Sequence, residues 1–123
     1  MARITGLGGL FFHSPDPKAL ASWYRDTLGI QIEDWGGSIL RPEGAGPAYQ
    51  VWSPFHKDSG HFKPSTREFM INFSVDDLDV FASELEAKGV EVQGRQEMEG
   101  MGKFAWILDP DGTKIELWEP PRN

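Results

Sequence analysis

The sequence predicts an α+β fold: two βαβββ modules whose curved mixed sheets surround a concave pocket. Three observations predict it. The order strand, helix, three strands can be read twice along the 123 residues. Blocks of the first reading echo blocks of the second, in the same order. The last strand carries a polar and indole face that a solvent-facing or fully packed strand does not need. Ile107-Leu108-Asp109-Pro110-Asp111-Gly112 reads against Ile39-Leu40-Arg41-Pro42-Glu43-Gly44, and Ile115-Glu116-Leu117-Trp118-Glu119-Pro120 against Tyr49-Gln50-Val51-Trp52-Ser53-Pro54. Ser14, Asp16, Gly29 and Ile30 fall opposite Ser74, Asp76, Gly89 and Val90. The offsets are 68, 66 and 60 residues, so small loop insertions separate the blocks of an internal duplication.

Residues 4–13 read as a strand, with Gly8-Gly9 as a bend or a place of close approach. Phe11 and His13 share its face with Gly9. Asp16 is a good N-cap and Pro17 suits the first helical position. Ala19, Leu20, Trp23, Tyr24, Thr27 and Leu28 recur at helical spacing, with Trp23 in the helix core, and Gly29 ends the helix. Residues 30–35, 38–41 and 48–53 read as three strands, the first two joined by a Gly36-Gly37 turn and the last two by 42–47. One domain over 1–123 is expected, made of modules at about 1–55 and 68–123 joined by a polar loop, 56–67. The second module repeats the pattern. Strand 68–75 is followed by a helix capped by Asp76 or Asp77, with Leu78, Phe81, Ala82 and Leu85 as its stripe and Gly89 as its end. Strands at 90–96, 103–108 and 113–119 complete it. Pro110 and Gly112 set a turn before the last of these.

Composition narrows the function. The chain has no cysteine, which removes disulfides, thiolate metal sites and cysteine nucleophiles. Its formal charge of −7 argues against a nucleic-acid partner, because phosphate binding needs a basic face. No membrane span or signal peptide is read, so a cytoplasmic protein is expected. Units of about 60 residues bury too little surface to stand alone, so the halves should pack on each other or on a second copy.

Alternation on the last strand puts Lys114, Glu116 and Trp118 on one face. The echo transfers that face to Gln50 and Trp52. Met70 and Asn72 share a face on the strand after the loop. With Phe11 these residues surround one hollow, mostly apolar with few polar anchors. Glu116 is then a pocket carboxylate or a residue at a rim, with Lys114 as a structural partner. Trp52 and Trp118 form an aromatic box or pack between units. His56 and His61, with Asp58 between them, read as solvated loop residues beside the pocket rather than a metal cluster. Asp109 to Gly112 reads as a turn and not a calcium loop.

The duplicated pattern resembles the vicinal oxygen chelate superfamily: glyoxalase I, extradiol dioxygenases, fosfomycin-resistance enzymes and bleomycin-resistance proteins. Asp16 followed by Trp23-Tyr24-Arg25-Asp26-Thr27-Leu28-Gly29, Ser74-Val75-Asp76-Asp77-Leu78, and the stretch from Asp109 to Glu116 carry the resemblance, which spans the whole chain. It implies a glyoxalase-like fold. In metal-dependent members, ligands stand on matching strands of both modules. Here those positions are Gly9 (or its neighbour Leu10 if the register slips by one), Gln50, Met70 and Glu116, so the resemblance implies that the metal site is largely lost.

The function expected is a metal-independent small-molecule binding protein of the glyoxalase/bleomycin-resistance type, without a cofactor, working as a homodimer on a cationic or aromatic ligand. Phe11, Gln50, Trp52, Met70, Asn72 and Trp118 would contact the ligand, and Glu116 would anchor it. The alternative is a glyoxalase-like lyase or isomerase, or a dioxygenase-like enzyme, with Glu116 catalytic and an atypical or weak metal site.

Overall fold

A computed structural model describes residues 2–41 and 50–121. The connection expected over 42–47 and the first two residues of the strand expected over 48–53 lie outside the described residues. The order of elements is β1 (Ile4–Ser14), α1 (Pro17–Leu28), β2 (Ser38–Leu40), β3 (Gln50–His56), β4 (Phe69–Val75), α2 (Leu78–Ala87), β5 (Gly94–Met98), β6 (Gly102–Leu108) and β7 (Lys114–Glu119). The seven strands form one mixed, curved sheet in the order β2-β3-β1-β4-β7-β6-β5. Each half contributes a parallel pair, β1 with β3 and β4 with β7, and the halves meet where β1 runs antiparallel to β4.

The caps follow the sequence. The Asp16 side chain accepts the Ala19 amide, Pro17 opens α1, and Gly29 closes it at φ 75°, which costs glycine little. Asp77, not Asp76, caps α2 through the Val80 amide. Asp76 instead accepts the Arg3 amide at 2.9 Å and ties the N-terminal strand to the end of β4. Glu119 on β7 accepts the Leu78 amide at 2.8 Å and seats the start of α2 on its sheet. Asp79 on α2 pairs with Arg95 on β5 and with Lys103 on β6 at 3.0 Å. Hydrogen bonds from Lys103 and then Arg95 hold the Asp79 carboxyl below its ordinary pKa.

Three expectations need correction. Residues 30–35 are not a strand. The Glu33 amide donates to the Gly37 carbonyl at 2.8 Å and the Gly36 amide to the Glu33 carbonyl at 2.9 Å. That tight turn takes up the backbone groups a ladder would need, and seven strands rather than eight stand among the described residues. The strand expected over 90–96 begins instead at Gly94 and runs to Met98, because pairing with β6 sets its limits. Trp23 is not helix core: it is exposed, and Ala21 is the residue α1 buries. The bulky ring is accommodated beside Tyr24, 5.4 Å between centroids, on the outer surface.

Both helices lie on one side of the sheet. Leu78, Val75, Ala105 and Leu117 form the core under α2, with Phe73, Ile107 and Ile115 packed against them. Tyr24 of α1 rests on Trp52, 4.4 Å between ring centroids. The opposite, concave side has its own core of Phe11, Val51, Phe62, Met70 and Trp118. Among the described residues no helix is long and apolar enough to cross a membrane.

Candidate functional site

Directly paired residues of neighbouring strands point to the same side of a sheet, so the register decides which side chains meet. Phe11 pairs with Met70, Gly9 with Asn72 and with Val51, Asn72 with Glu116, and Glu116 with Trp106. Ser74 pairs with Trp118, and Trp118 with Phe104. The concave face therefore gathers Phe11, Met70, Asn72, Trp106, Glu116 and Trp118 from four strands of both halves. Phe11, Met70, Asn72, Trp118 and Glu116 were expected together, and the structure brings them together.

Gln50 and Trp52 are not with them. Val51 pairs with Gly9, so Val51 takes the concave side and its neighbours take the other. Gln50 is exposed, and Trp52 is sandwiched between Tyr24 and Phe12 on the helix side. The echo matched residue types correctly but stood one residue out of phase with the pleat, and a one-residue slip reverses every facing. Apolar Val51 and Phe55 belong in the concave core, and Trp52 fills the space under α1.

Glu116 is the centre of the face. It is 3% exposed, and its carboxylate accepts two hydrogen bonds and has an imidazole close by. Asn72 Nδ2 donates to Oε2 at 2.5 Å, Trp106 Nε1 donates to Oε1 at 2.8 Å, and His61 Nε2 stands 3.5 Å from Oε1. A carboxylate offers only acceptor sites, so amide, indole and imidazole N–H groups match it chemically. Lys114 is not its direct partner, as the sequence had suggested. The ammonium donates to the His61 carbonyl at 2.5 Å and lies over the Trp106 ring, 5.5 Å from its centroid. Burial lowers the Lys114 pKa, and the nearby Glu116 charge opposes that shift.

His61 and Phe62 come from the polar loop between the halves; His61 was expected as a solvated residue at the pocket's edge, and Phe62 was not singled out. Phe62 is fully buried in the concave core and stacks on His13 at 4.3 Å. His61 stacks on Phe55 at 4.9 Å and keeps a third of its side chain exposed. The signal was present: Phe62 is the one large apolar residue in 56–67, and such a residue anchors the loop and carries its neighbour with it. Trp106 was also legible, since a β6–β7 hairpin closed at Asp109 and Thr113 places 106 opposite 116. His56 does not join His61; its Nδ1 accepts the Asp58 amide at 3.1 Å. Asp109 is occupied in a turn, its Oδ1 accepting the amides of Asp111 and Thr113, both at 2.9 Å.

The residues present do not fit the divalent ion that the fold suggests. Gly9 has no side chain, and a Cβ there would stand 2.5 Å from the Val51 carbonyl oxygen. Met70 is a soft thioether packed in the apolar core, and Gln50 is on the far side. Glu116 and His61 remain, one short of the three protein ligands a catalytic zinc keeps. Among the described residues no group of three His, Cys, Asp or Glu side chains converges.

Two side-chain atoms in this region are buried without a partner among the described residues: His13 Nε2 and Asn72 Oδ1. Asn72 Oδ1 lies against Gly8, the bulged residue of β1, where a Cβ would approach it to 2.0 Å. Gly8 thus makes the room in which Asn72 turns its amide toward Glu116.

Comparison with known proteins places this geometry. Residues 10–117 match the model of the Glyoxalase/Bleomycin resistance protein/Dioxygenase superfamily. Two curated relatives are the anthracycline biosynthesis protein DnrV of Streptomyces peucetius, 25% identical, and DauV of Streptomyces sp. (strain C5), 24% identical, each over 85% of this chain. The chain spans 43% of the length of each. Among solved structures, a Streptomyces coelicolor methylmalonyl-CoA epimerase variant in complex with 2-nitronate-propionyl-CoA aligns with a TM-score of 0.71 at 16% identity, over 98% of this chain and 100% of that one. The methylmalonyl-CoA epimerase of Mycobacterium tuberculosis aligns at 0.63 and 22% identity, over 97% and 90%. At these identities the likeness shows the glyoxalase-like fold. The family match over residues 10–117 goes further: the chain belongs to the Glyoxalase/Bleomycin resistance protein/Dioxygenase superfamily.

Proposed function

We propose that the chain is a metal-independent, cytoplasmic small-molecule binding protein, with the aromatic concave face as its ligand surface and Glu116 as the anchor. The observation that carries this is a carboxylate 3% exposed among Phe11, Trp106 and Trp118, with a partly exposed imidazole as its weakest contact. At 3.5 Å the His61 contact is longer than a good charge-assisted hydrogen bond, so a ligand donor can replace it at Oε1 at small cost. The ligand class favoured is a planar, electron-poor ring system carrying a protonated amine. The partly exposed rings of Trp106 and Phe55 stack on the ligand's rings, and the carboxylate takes the amine. Two relatives named for anthracycline biosynthesis support a polycyclic aromatic ligand.

The test is quenching of tryptophan fluorescence by an anthraquinone bearing a protonated amine, beside the same ring system without it. Saturable quenching is expected, with Glu116→Gln weakening the amine-bearing probe about tenfold, equivalent to about 1.4 kcal/mol, and the neutral probe much less. No saturation at millimolar probe, or equal affinities in both proteins, overturns the reading. Titration with Mn, Zn, Ni and Fe(II) is expected to leave the quenching unchanged, and tight stoichiometric metal uptake would contradict metal independence.

A second reading is a lyase or isomerase acting beside a carbonyl. It is favoured by the approach of His61 Nε2 to Glu116 Oε1, which sets two proton carriers together. Glu116 would remove a proton from the carbon next to the carbonyl, and His61 would protonate the oxygen. Methylmalonyl-CoA, bound by one structural neighbour, is the first probe. Washout of its α-hydrogen into deuterated water, abolished by Glu116→Gln, would establish this reading over simple binding.

A further inference from the structure

We propose that Lys114 is a covalent capture site for carbonyl compounds: its amine forms an imine with an aldehyde or ketone that reaches the concave face. The proposal asks only that a small carbonyl compound gain access to Lys114, and it does not use Glu116 as an anchor for an amine. A lysine becomes a nucleophile where its ammonium is poorly solvated and unpaired, yet still within reach of solvent. The six lysines of the chain sort on those terms. Lys18, Lys57, Lys63 and Lys88 are exposed to water. Lys103 is bonded to the Asp79 carboxylate at 3.0 Å, which raises its pKa. Lys114 is half-buried, and among the described residues it makes no ion pair; its hydrogen bond goes to the His61 backbone carbonyl.

The surroundings suit an amine more than an ammonium. Lys114 shares the strand face of Glu116, two residues on, but the carboxylate oxygens are taken by Asn72 and Trp106. Burial lowers the Lys114 pKa, and the Glu116 charge opposes this without bonding the ammonium. The bond to His61 survives loss of the proton. A neutral amine keeps two N–H groups, so one can still serve the carbonyl while the lone pair stays free. The nitrogen lies 5.5 Å from the centroid of Trp106, and the His61 ring meets the same indole edge-on at 6.1 Å. Half-buried Trp106 offers a ring against which an aromatic aldehyde or ketone can stack. The lone pair then attacks the carbonyl carbon, and the C–O π pair moves to oxygen. The carbinolamine loses that oxygen as water together with the two amine hydrogens, which leaves a carbon–nitrogen double bond. His61, with a third of its side chain exposed, can carry these protons from nitrogen to oxygen.

The test is reductive trapping with benzaldehyde and cyanoborohydride, read by peptide mass mapping. The hydride fixes any imine as a benzyl amine, and the six lysines compete in one sample. Lys114 is expected to gain its benzyl group at least about tenfold faster than Lys57, with a rate that saturates as benzaldehyde is raised. Its labelling should also outlast that of Lys57 as the pH is lowered from about 9 to about 6. In urea the two should react alike, because the difference belongs to the fold. Lys114→Arg keeps a charged donor for the His61 carbonyl. It should remove saturable labelling from the chain while circular dichroism stays unchanged. Labelling of Lys114 no faster than that of Lys57, a linear dependence on benzaldehyde, or a preference that persists in urea overturns the proposal. The trapping reads an amine and the quinone titration reads Glu116, so either can fail alone.

Discussion

The two halves of the sheet are built on one plan and put different chemistry at corresponding places. In each, a first strand pairs in parallel with a last strand, and a helix covers the outer side. In the second half the last strand turns Glu116 and Trp118 inward and Leu117 toward α2. In the first half the corresponding strand turns Val51 inward and Trp52 toward α1. The pleat of one half is a single residue out of phase with the sequence echo of the other. One half thus supplies an apolar wall and the other supplies the polar centre, so a duplicated fold yields an asymmetric site. The cost of that asymmetry is local. A buried carboxylate is tolerable only because Asn72 and Trp106 are aimed at it, and Asn72 is aimed only because Gly8 leaves it room.

The largest effect should come from breaking the polar centre. Glu116→Ala leaves Asn72 Nδ2 without its acceptor in a fully buried place and Trp106 Nε1 without its own. A loss of about 3 kcal/mol is expected, the scale for buried donors left without an acceptor. Urea unfolding followed by tryptophan fluorescence measures it, and a loss below about 1 kcal/mol would show that water replaces the carboxylate without penalty.

Next in size is the glycine that makes the room. Gly8→Ala drives a Cβ to 2.0 Å from Asn72 Oδ1 and 3.0 Å from the Trp118 ring, between two buried side chains. Overpacking of this kind costs about 2 kcal/mol. Gly6→Ala, on the same strand, meets nothing within 4 Å and should change stability by less than about 0.5 kcal/mol. Equal melting temperatures for the two variants would remove Gly8 from the account of how Asn72 is held.

Much of the fold was legible because its signals are local. Asp16, Pro17 and Gly29 mark α1 within a few residues of its ends, and Asp109, Gly112 and Thr113 close a turn by their own side chains and backbone. The meeting of Glu116 with Asn72 and Met70 was also legible, since alternation fixes faces within a strand. The facing of Gln50 and Trp52 was not, because it depends on register between strands, and register is settled by which side chains find burial. The contact of His61 with Glu116 was hidden for a related reason. The position of His61 follows from Phe62, which is anchored by His13 and the concave core, residues far from it in sequence. The failed strand over 30–35 reflects the opposite case, a local turn at Gly36 and Gly37 overriding an alternating pattern.

The smallest effect sharpens the comparison most. Gln50 is the sequence echo of Glu116, and a duplicated site with both positions facing inward would lose affinity when either is cut. The register puts Gln50 outward and exposed, beside Leu40 on the outermost strand pair. Gln50→Ala should therefore change stability by no more than about 0.5 kcal/mol, as exposed substitutions generally do. It should leave the affinity for the amine-bearing anthraquinone unchanged within twofold. Val51→Ala, one residue on, should cost about 1–2 kcal/mol, because it removes two buried methyl groups from the wall that Phe11 and Met70 share. If Gln50→Ala weakened ligand binding while Val51→Ala did nothing, β3 would sit in the opposite phase, and the asymmetry between the halves would vanish.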